Sequence, residues 1–179
     1  MNVYLETPRL ILRAVKEEDA PGFFELDSDP EVHKFLGNKP VKDIKESEEA
    51  IKYIQKQYEE KGIGRLAIID KASKEFVGWS GLKYETVVRA DFPYYDLGYR
   101  LKKKFWGKGI ATEAAIASLE YGFLQLRLEE IYAAADLDNM GSNKVLQKLG
   151  MKLVDQFEYC QALHNWYKIT TAEWLAMSS

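Results

Sequence analysis

The stretch from Asp96 to Glu113, DLGYRLKKKFWGKGIATE, constrains this chain more than any other. It reads as a short strand over Asp96–Leu101, a Lys-rich turn, and a helix opened by Gly107-Lys108-Gly109. Glycines at a helix start let a ligand approach the backbone closely. The first free N–H groups and the positive end of the helix dipole then favour an anion, typically a phosphate. Lys102, Lys103, Lys104 and Lys108 add positive charge around the same spot. The turn is therefore read as a seat for the pyrophosphate of a cofactor.

The rest of the chain limits what can carry that turn. A length of 179 residues suits a single domain, 1–179, with a full core. The net charge of −3 argues against a general nucleic-acid binder, so any basic patch is local. One cysteine, Cys160, has no partner for an internal disulfide, which suits a cytoplasmic setting; with no base beside it, it reads as a packing residue. Glu6, Arg9 and Arg13 make the first residues unlike a signal peptide, and no apolar run is long enough to span a bilayer.

Taken in order, residues 3–15 end in a strand with Leu10 and Leu12 on one face and Ile11 and Arg13 on the other. Glu17–Ser28 predicts a helix contributing Phe23, Phe24 and Leu26, broken at Asp29-Pro30, with a loop over 31–43. An amphipathic helix follows from about Ile44 to Lys61, with Ile44, Ile51, Ile54 and Tyr58 on one stripe and Gly62 closing it. Arg65–Asp70 and Glu75–Tyr84 read as a hairpin in which Gly78 and Gly81 mark a bulge or a close approach, and Trp79 reads as core. Residues 85–95 form an aromatic loop that either caps the core or lines a pocket. Beyond the glycine turn, a helix to about Leu126 buries Ala114, Ile116, Leu119 and Phe123. Ile131–Asp136 is a strand of small residues, and Asn139–Leu149 a short helix stopped by Gly150. Met151–Phe157 and Trp166–Thr170 are two more strands before a last partial helix near Trp174. The class is α+β with a mostly antiparallel sheet.

Three phosphate-binding patterns compete for the glycine turn. A P-loop needs G-x-x-x-x-G-K-[ST], which is absent. A dinucleotide fingerprint needs G-x-G-x-x-G after the first strand of a repeating βαβ unit; here Thr112 replaces the third glycine, past mid-chain. The [R/Q]-x-x-G-x-[G/A] turn of acetyl-CoA-dependent N-acetyltransferases is matched in its last part by Gly109 and Ala111.

At these residues the chain resembles the GNAT acetyltransferases, most closely the RimJ/RimL-like branch that includes acetyltransferases of ribosomal-protein N-termini. ETPRLILR resembles the branch's first strand, DLGYRL with FWGKGIATEA its cofactor motif, and DNMGSNKVLQKLG its second motif. The resemblance covers nearly the whole chain. It implies a GNAT fold: a central sheet of about seven strands flanked by helices and splayed between the fourth and fifth. It also implies acetyl-CoA as cofactor, leaving as CoA. Backbone from Trp106 through Gly107, Lys108, Gly109, Ile110 and Ala111 to Thr112 would bind the pyrophosphate. The main chain of Tyr99, Arg100 and Leu101 would pair with the pantetheine amides, Asn139 and Asn143 would contact the cofactor's arm, and Ser142 would sit near its sulfur. Trp106 stands where many GNATs have Arg or Gln, as is common in this branch. Leu146 occupies the place of the tyrosine many GNATs use as general acid, which leaves Ser142 for that role.

Acetyl transfer from a thioester needs a neutral amine, support for the oxyanion and protonation of the departing thiolate. A thiol of pKa about 8.5 leaves readily, so a weak acid such as Ser142 suffices. Backbone N–H of Tyr99 to Leu101 is the candidate support for the oxyanion. An N-terminal amine of pKa roughly 8 needs little help from a base, whereas a lysine near 10.4 needs more. Asp96 is the candidate base, through water, with Glu85 and Glu113 behind it; a solvated strand-end carboxylate is the plain alternative. Lys102 to Lys104 read as a solvated edge rather than as three ligands, with room for one of them to meet a cofactor phosphate; Ser142 also suits a helix cap, and His164 reads as a surface histidine. The expected partner is an amine acceptor: a protein N-terminus, or a small molecule of the polyamine or aminoglycoside type. A non-catalytic acyl-CoA sensor is the alternative from another class, and no direct nucleic-acid or membrane partner is expected. Monomer and homodimer both remain open.

Overall fold

A computed structural model describes residues 1–179. Pro8 breaks the first apolar run into two strands, β1 (Tyr4–Glu6) and β2 (Leu10–Ala14), paired as a hairpin with Leu5 opposite Leu12. After a 3-10 turn at Glu17–Asp19 come α1 (Ala20–Asp27) and, past a second 3-10 turn at Val32–Phe35, α2 (Ile44–Lys61). The strands β3 (Arg65–Asp70), β4 (Phe76–Glu85) and β5 (Tyr94–Leu101) form an antiparallel meander. Then follow α3 (Ile110–Glu120), continued by a π-helical turn to Gln125, and β6 (Glu130–Asp136). The chain ends with α4 (Met140–Lys148), β7 (Lys152–Tyr159), β8 (Ala162–Thr170) and α5 (Thr171–Ser178).

These strands make one sheet in the order β1-β2-β3-β4-β5-β6-β8-β7. The sheet has eight strands rather than about seven, because of the break at Pro8. All neighbours are antiparallel except β5 and β6, whose parallel pairing is a single bridge, Asp96 to Tyr132. The expected splay is therefore present. It falls between the fifth and sixth strands once the first hairpin is counted.

Strand alternation sorts the core onto two faces. Val15, Phe23, Ile51, Ile54, Tyr58 and Ala67 pack under α1 and α2. On the opposite face Leu10, Leu12, Leu66, Ile68, Leu101 and Ala114 pack with α3, and Leu97, Leu119, Ile131, Leu146 and Tyr167 with α3 and α4. α2 is started by a capping box, Asp43 accepting from Lys45 N–H at 2.9 Å and Glu46 from Asp43 N–H at 3.1 Å. Gly62, at φ 68°, stops it. Ile44 and Ile116 are exposed rather than buried, and Cys160 is exposed at the β7–β8 turn instead of packed. No helix is long and apolar enough to cross a membrane.

Candidate active site

Past the Asp96–Tyr132 bridge, β5 and β6 separate and leave a cleft of about 950 Å³ that passes from one face of the sheet to the other. The size is at the upper end of small-molecule sites. Its two walls and two mouths are built differently.

The β5 wall offers unpaired backbone. Lys102 N–H donates to Val77 C=O at 2.9 Å, which sets the ladder alternation with β4. The N–H and C=O groups of Tyr99 and Leu101 therefore point into the gap. Leu101 C=O is taken by the Trp106 indole N–H at 2.9 Å, so Trp106 ties the following turn to the strand. Tyr99 N–H and C=O stay open.

The first mouth lies at the start of α3. Gly107 and Gly109 adopt φ 71° and 75°, a left-handed conformation that L side chains rarely tolerate. Gly109 is the N-cap residue and no side chain caps the helix. The N–H groups of Ile110, Ala111 and Thr112 are thus orphan donors facing the cleft. These donors fit a pyrophosphate, and so the group that the sequence implies. Trp106, Gly107, Gly109 and Asn139 line the same mouth. Lys108 does not: Arg9 Nη1 takes its carbonyl at 2.8 Å, and its ammonium rests over the Phe105 ring.

The expected lysine cluster is mostly spent elsewhere. Lys102 is buried against Glu25 at 2.6 Å and Glu75 at 3.5 Å, and Lys104 also pairs with Glu75. Besides Lys34 and the paired Arg65 and Arg100, the cations that line the cleft are Lys144 and Lys148, one turn apart on α4. Their i,i+4 spacing just after Ser142 was the available signal.

On α4, Asn139 is the cap, its Oδ1 accepting from Ser142 N–H at 3.1 Å. Ser142 is thereby relieved of capping, and its hydroxyl meets the Tyr99 phenol at 3.0 Å. Asn143 is turned away from the cleft, contrary to expectation. Its amide donates to Asp136 and Asn139 C=O at 2.9 and 2.8 Å and accepts from Asn165 and Tyr167 at 2.9 and 2.7 Å. All four of its positions are filled, so it holds α4 to β6 and β8.

The other mouth opens on the face of α1 and α2. Arg65 crosses β5 above Gly98, where a Cβ would meet the guanidinium at 2.8 Å. Its Nη2 bonds the Asp96 carboxylate at 2.6 Å, and Nη1 bonds Gly81 and Asp96 C=O at 2.6 and 2.8 Å. Burial raises the Asp96 pKa and Arg65 opposes it; burial prevails. The carboxylate lines the cleft beside the point where the strands part. The Arg100 side chain turns to this face too, bonding Asp27 at 2.8 Å, and both guanidiniums lie against Trp79 at 5.2 and 5.1 Å. Trp79 thus lines the pocket while packing, as expected, against the core under α1 and α2.

Glu85 also lines this mouth. Burial would raise its pKa, but Val87 N–H and Lys83 outweigh that and hold it below the usual range. Glu113 lies outside the cleft, engaged by Thr7 at 2.7 Å and Arg9 at 2.6 Å. His164, expected on the surface, lines the cleft with its ring stacked near Phe157. The aromatic loop caps a cluster of Tyr94, Tyr132 and Trp166 through Phe92, while Val88 reaches the cleft. Glu31, Val32, Lys34, Phe35 and Leu36, from a segment read as plain loop, form the remaining wall; no motif in that segment announces it.

Comparison with known proteins agrees with this geometry. The acetyltransferase (GNAT) domain family matches residues 9–152. The N-acetyltransferase p20 of Bacillus licheniformis is 33% identical over 148 residues, covering 83% of this chain and 82% of that protein. The FsC-acetyl coenzyme A-N(2)-transacetylase of Aspergillus fumigatus is 30% identical, covering 97% of this chain and 78% of its own. The [ribosomal protein uS5]-alanine N-acetyltransferase of Escherichia coli is 27% identical, covering 84% and 78%. Among solved structures, a ribosomal-protein-S5-alanine acetyltransferase from Vibrio fischeri shares the fold with TM-score 0.76 and 20% identity, covering 97% of this chain and 99% of that one.

Proposed function

The chain belongs to the GNAT acetyltransferase family, and on that premise we propose that it acetylates an α-amine, in particular a protein N-terminus, with acetyl-CoA as donor. The observation that carries this reading is the cleft itself. Orphan N–H donors stand at one mouth and a carboxylate at the other, with the parted strands between them.

Acetyl-CoA supplies an acetyl group already activated as a thioester. The chain's part is to seat and orient it. Ile110, Ala111 and Thr112 N–H groups hold the pyrophosphate, with Lys144 and Lys148 as nearby counter-charge, and the open Tyr99 backbone aligns the arm. The acceptor enters from the α1/α2 face. As its nitrogen bonds to the acetyl carbon and the carbon–sulfur bond breaks, the nitrogen's surplus proton passes to Asp96 through water. The electron pair goes to sulfur, held by the Ser142 hydroxyl. A raised Asp96 pKa makes it a better proton acceptor than an ordinary carboxylate.

Acceptor chemistry follows from which carboxylates are free. Asp96 is shared with Arg65, and Glu85 is held by Lys83 and by the Thr86 and Val87 N–H groups. Asp136 accepts from Asp138 N–H, and of the carboxylates lining the cleft only the exposed Glu31 has no partner; one open carboxylate is not the cage that a polyamine or an aminoglycoside calls for. An α-amine of pKa roughly 8 is partly neutral near pH 7 and needs one modest base, which is what the site offers. The name of one relative points the same way: it acetylates a ribosomal protein's alanine.

Thiol release from acetyl-CoA tests this on peptides with a free N-terminus, on the same peptides blocked at the α-amine but carrying lysine, and on spermidine. Turnover confined to free N-termini is the expected result. Turnover on the blocked peptide or spermidine alone would overturn the acceptor assignment.

A further inference from the structure

A serine hydroxyl inside a helix ordinarily turns back to the carbonyl one turn earlier. Ser118 does so in α3, donating to Ala114 C=O at 2.9 Å. Ser142, the third residue of α4, has no helical carbonyl one turn earlier to turn to and makes no such bond. Its Oγ meets the Tyr99 hydroxyl alone, at 3.0 Å, with both residues lining the cleft.

We propose that Tyr99 is a positioning residue: its phenol donates to Ser142 Oγ and so turns the serine's own hydrogen into the cleft, toward the sulfur of CoA. The proposal rests on the acetyl-CoA reading above and deepens it. A phenol carries one hydrogen, and two acceptors compete for it. Ser142 C=O is the farther, at 3.3 Å, and as a helical carbonyl it already serves the N–H four residues on. Ser142 Oγ is the nearer and has lone pairs to spare. Once Oγ accepts from Tyr99, no protein group remains to receive the Ser142 hydrogen except through the cleft.

Tyr99 does this without giving up its proton. Burial pushes its pKa up to about 12, against the pull of the Ser142 hydrogen bond. A thiol titrates near 8.5, so the thiolate is far too weak a base to strip such a phenol. The proton balance is therefore simple. The carbon–sulfur electron pair is accommodated on sulfur by a hydrogen bond from Ser142, Tyr99 stays protonated, and the proton released by the amine leaves through Asp96 and water. The arrangement also accounts for Leu146. That residue is buried one turn beyond Ser142, and the Tyr99 ring packs against the cluster containing it. The phenol absent from α4 is thus supplied to the same region by β5.

The test reads bound CoA rather than turnover. A hydrogen bond to sulfur stabilises the thiolate and lowers the thiol pKa. Titration by ultraviolet thiolate absorbance should therefore give the lowest value in the native protein. Tyr99→Phe, which keeps the ring and its packing, should raise it by about one unit. Ser142→Ala should raise it equally, and the double variant no further. In turnover, Tyr99→Phe should lower kcat roughly tenfold with KM for acetyl-CoA unchanged. A Tyr99→Phe protein whose bound thiol titrates like the native one overturns the proposal. Additive shifts in the double variant do so too, because the hydroxyls would then act independently. If every α-amine fails as acceptor, the titration still decides the role of Tyr99; if native protein does not bind CoA, both readings fall together.

Discussion

On one face of β5, Asp96 is closed by Arg65 at 2.6 Å and Arg100 by Asp27 at 2.8 Å. On the other, the first N–H groups of α3 have no side-chain cap, and Tyr99 presents open backbone to the gap. The same strand thus borders a face on which its own charges, Asp96 and Arg100, are already partnered and a face whose donors are left waiting. Buried polar groups are costly unless bonded, so a fold leaves them open mainly where something else will come. The closed face can only steer an acceptor by shape and by the remaining capacity of Asp96. The open face can bind outright. Donor recognition is therefore expected to be strong and acceptor recognition weak.

The largest effect should come from closing the open face. Gly109→Val places a branched side chain at φ 75°, straining the turn and displacing the N–H groups. CoA affinity should fall about 100-fold by calorimetry. Affinity within a few-fold of native would break the comparison, because the α3 donors would then not be the seat. Next, Ser142→Ala should lower kcat about tenfold, as Tyr99→Phe does, while CoA affinity stays within about threefold, separating chemistry from binding on that same face.

Asp96→Asn probes the closed face. It should cost roughly tenfold in kcat/KM toward an N-terminal peptide and remove the acidic limb of the pH profile. The sign follows from the raised native pKa: below it Asp96 holds its proton and is no base, so native activity rises as pH climbs through it. An unchanged profile would assign the limb to another group.

The smallest effect concerns Tyr58, which ties α2 to the closed face by accepting from Val15 N–H at 3.0 Å and donating to Arg65 C=O. Burial lifts its pKa from 10.0 to about 12. The folded state therefore keeps a proton that the unfolded chain loses. This stability is whole below pH 10.0 and is lost as pH rises to about 12. Tyr58→Phe should cost about 1 kcal/mol at neutral pH and flatten the alkaline decline in Tm.

Local signals carried much of this architecture. The glycine turn, the stop at Gly150 and the alternation of Leu10 and Leu12 depend on neighbours a few residues away, and each is where the spacing predicts. The residues that escaped depend on distant partners. Lys102 looks like part of a solvated run, yet Glu25 and Glu75 reach it from other elements and bury it. Asn143 shares a helix face with Asn139, but Asn165 and Tyr167 of β8 claim its amide. Arg65 begins a strand without any mark of its tie to Asp96, because that pairing exists only once the meander has formed. Helix starts and stops are written locally; the occupant of a charge is not.

One backbone bridge joins the two parts of the sheet. Mechanically it is a seam with one stitch, padded by Leu97, Ile131 and Leu146 in the core beside it. A guest that lends hydrogen-bonding groups to both edges adds stitches. Its arrival would stiffen both parts together, so resistance to heat should rise with the guest's concentration, and the loaded molecule, rather than the empty one, is the mechanically complete sheet.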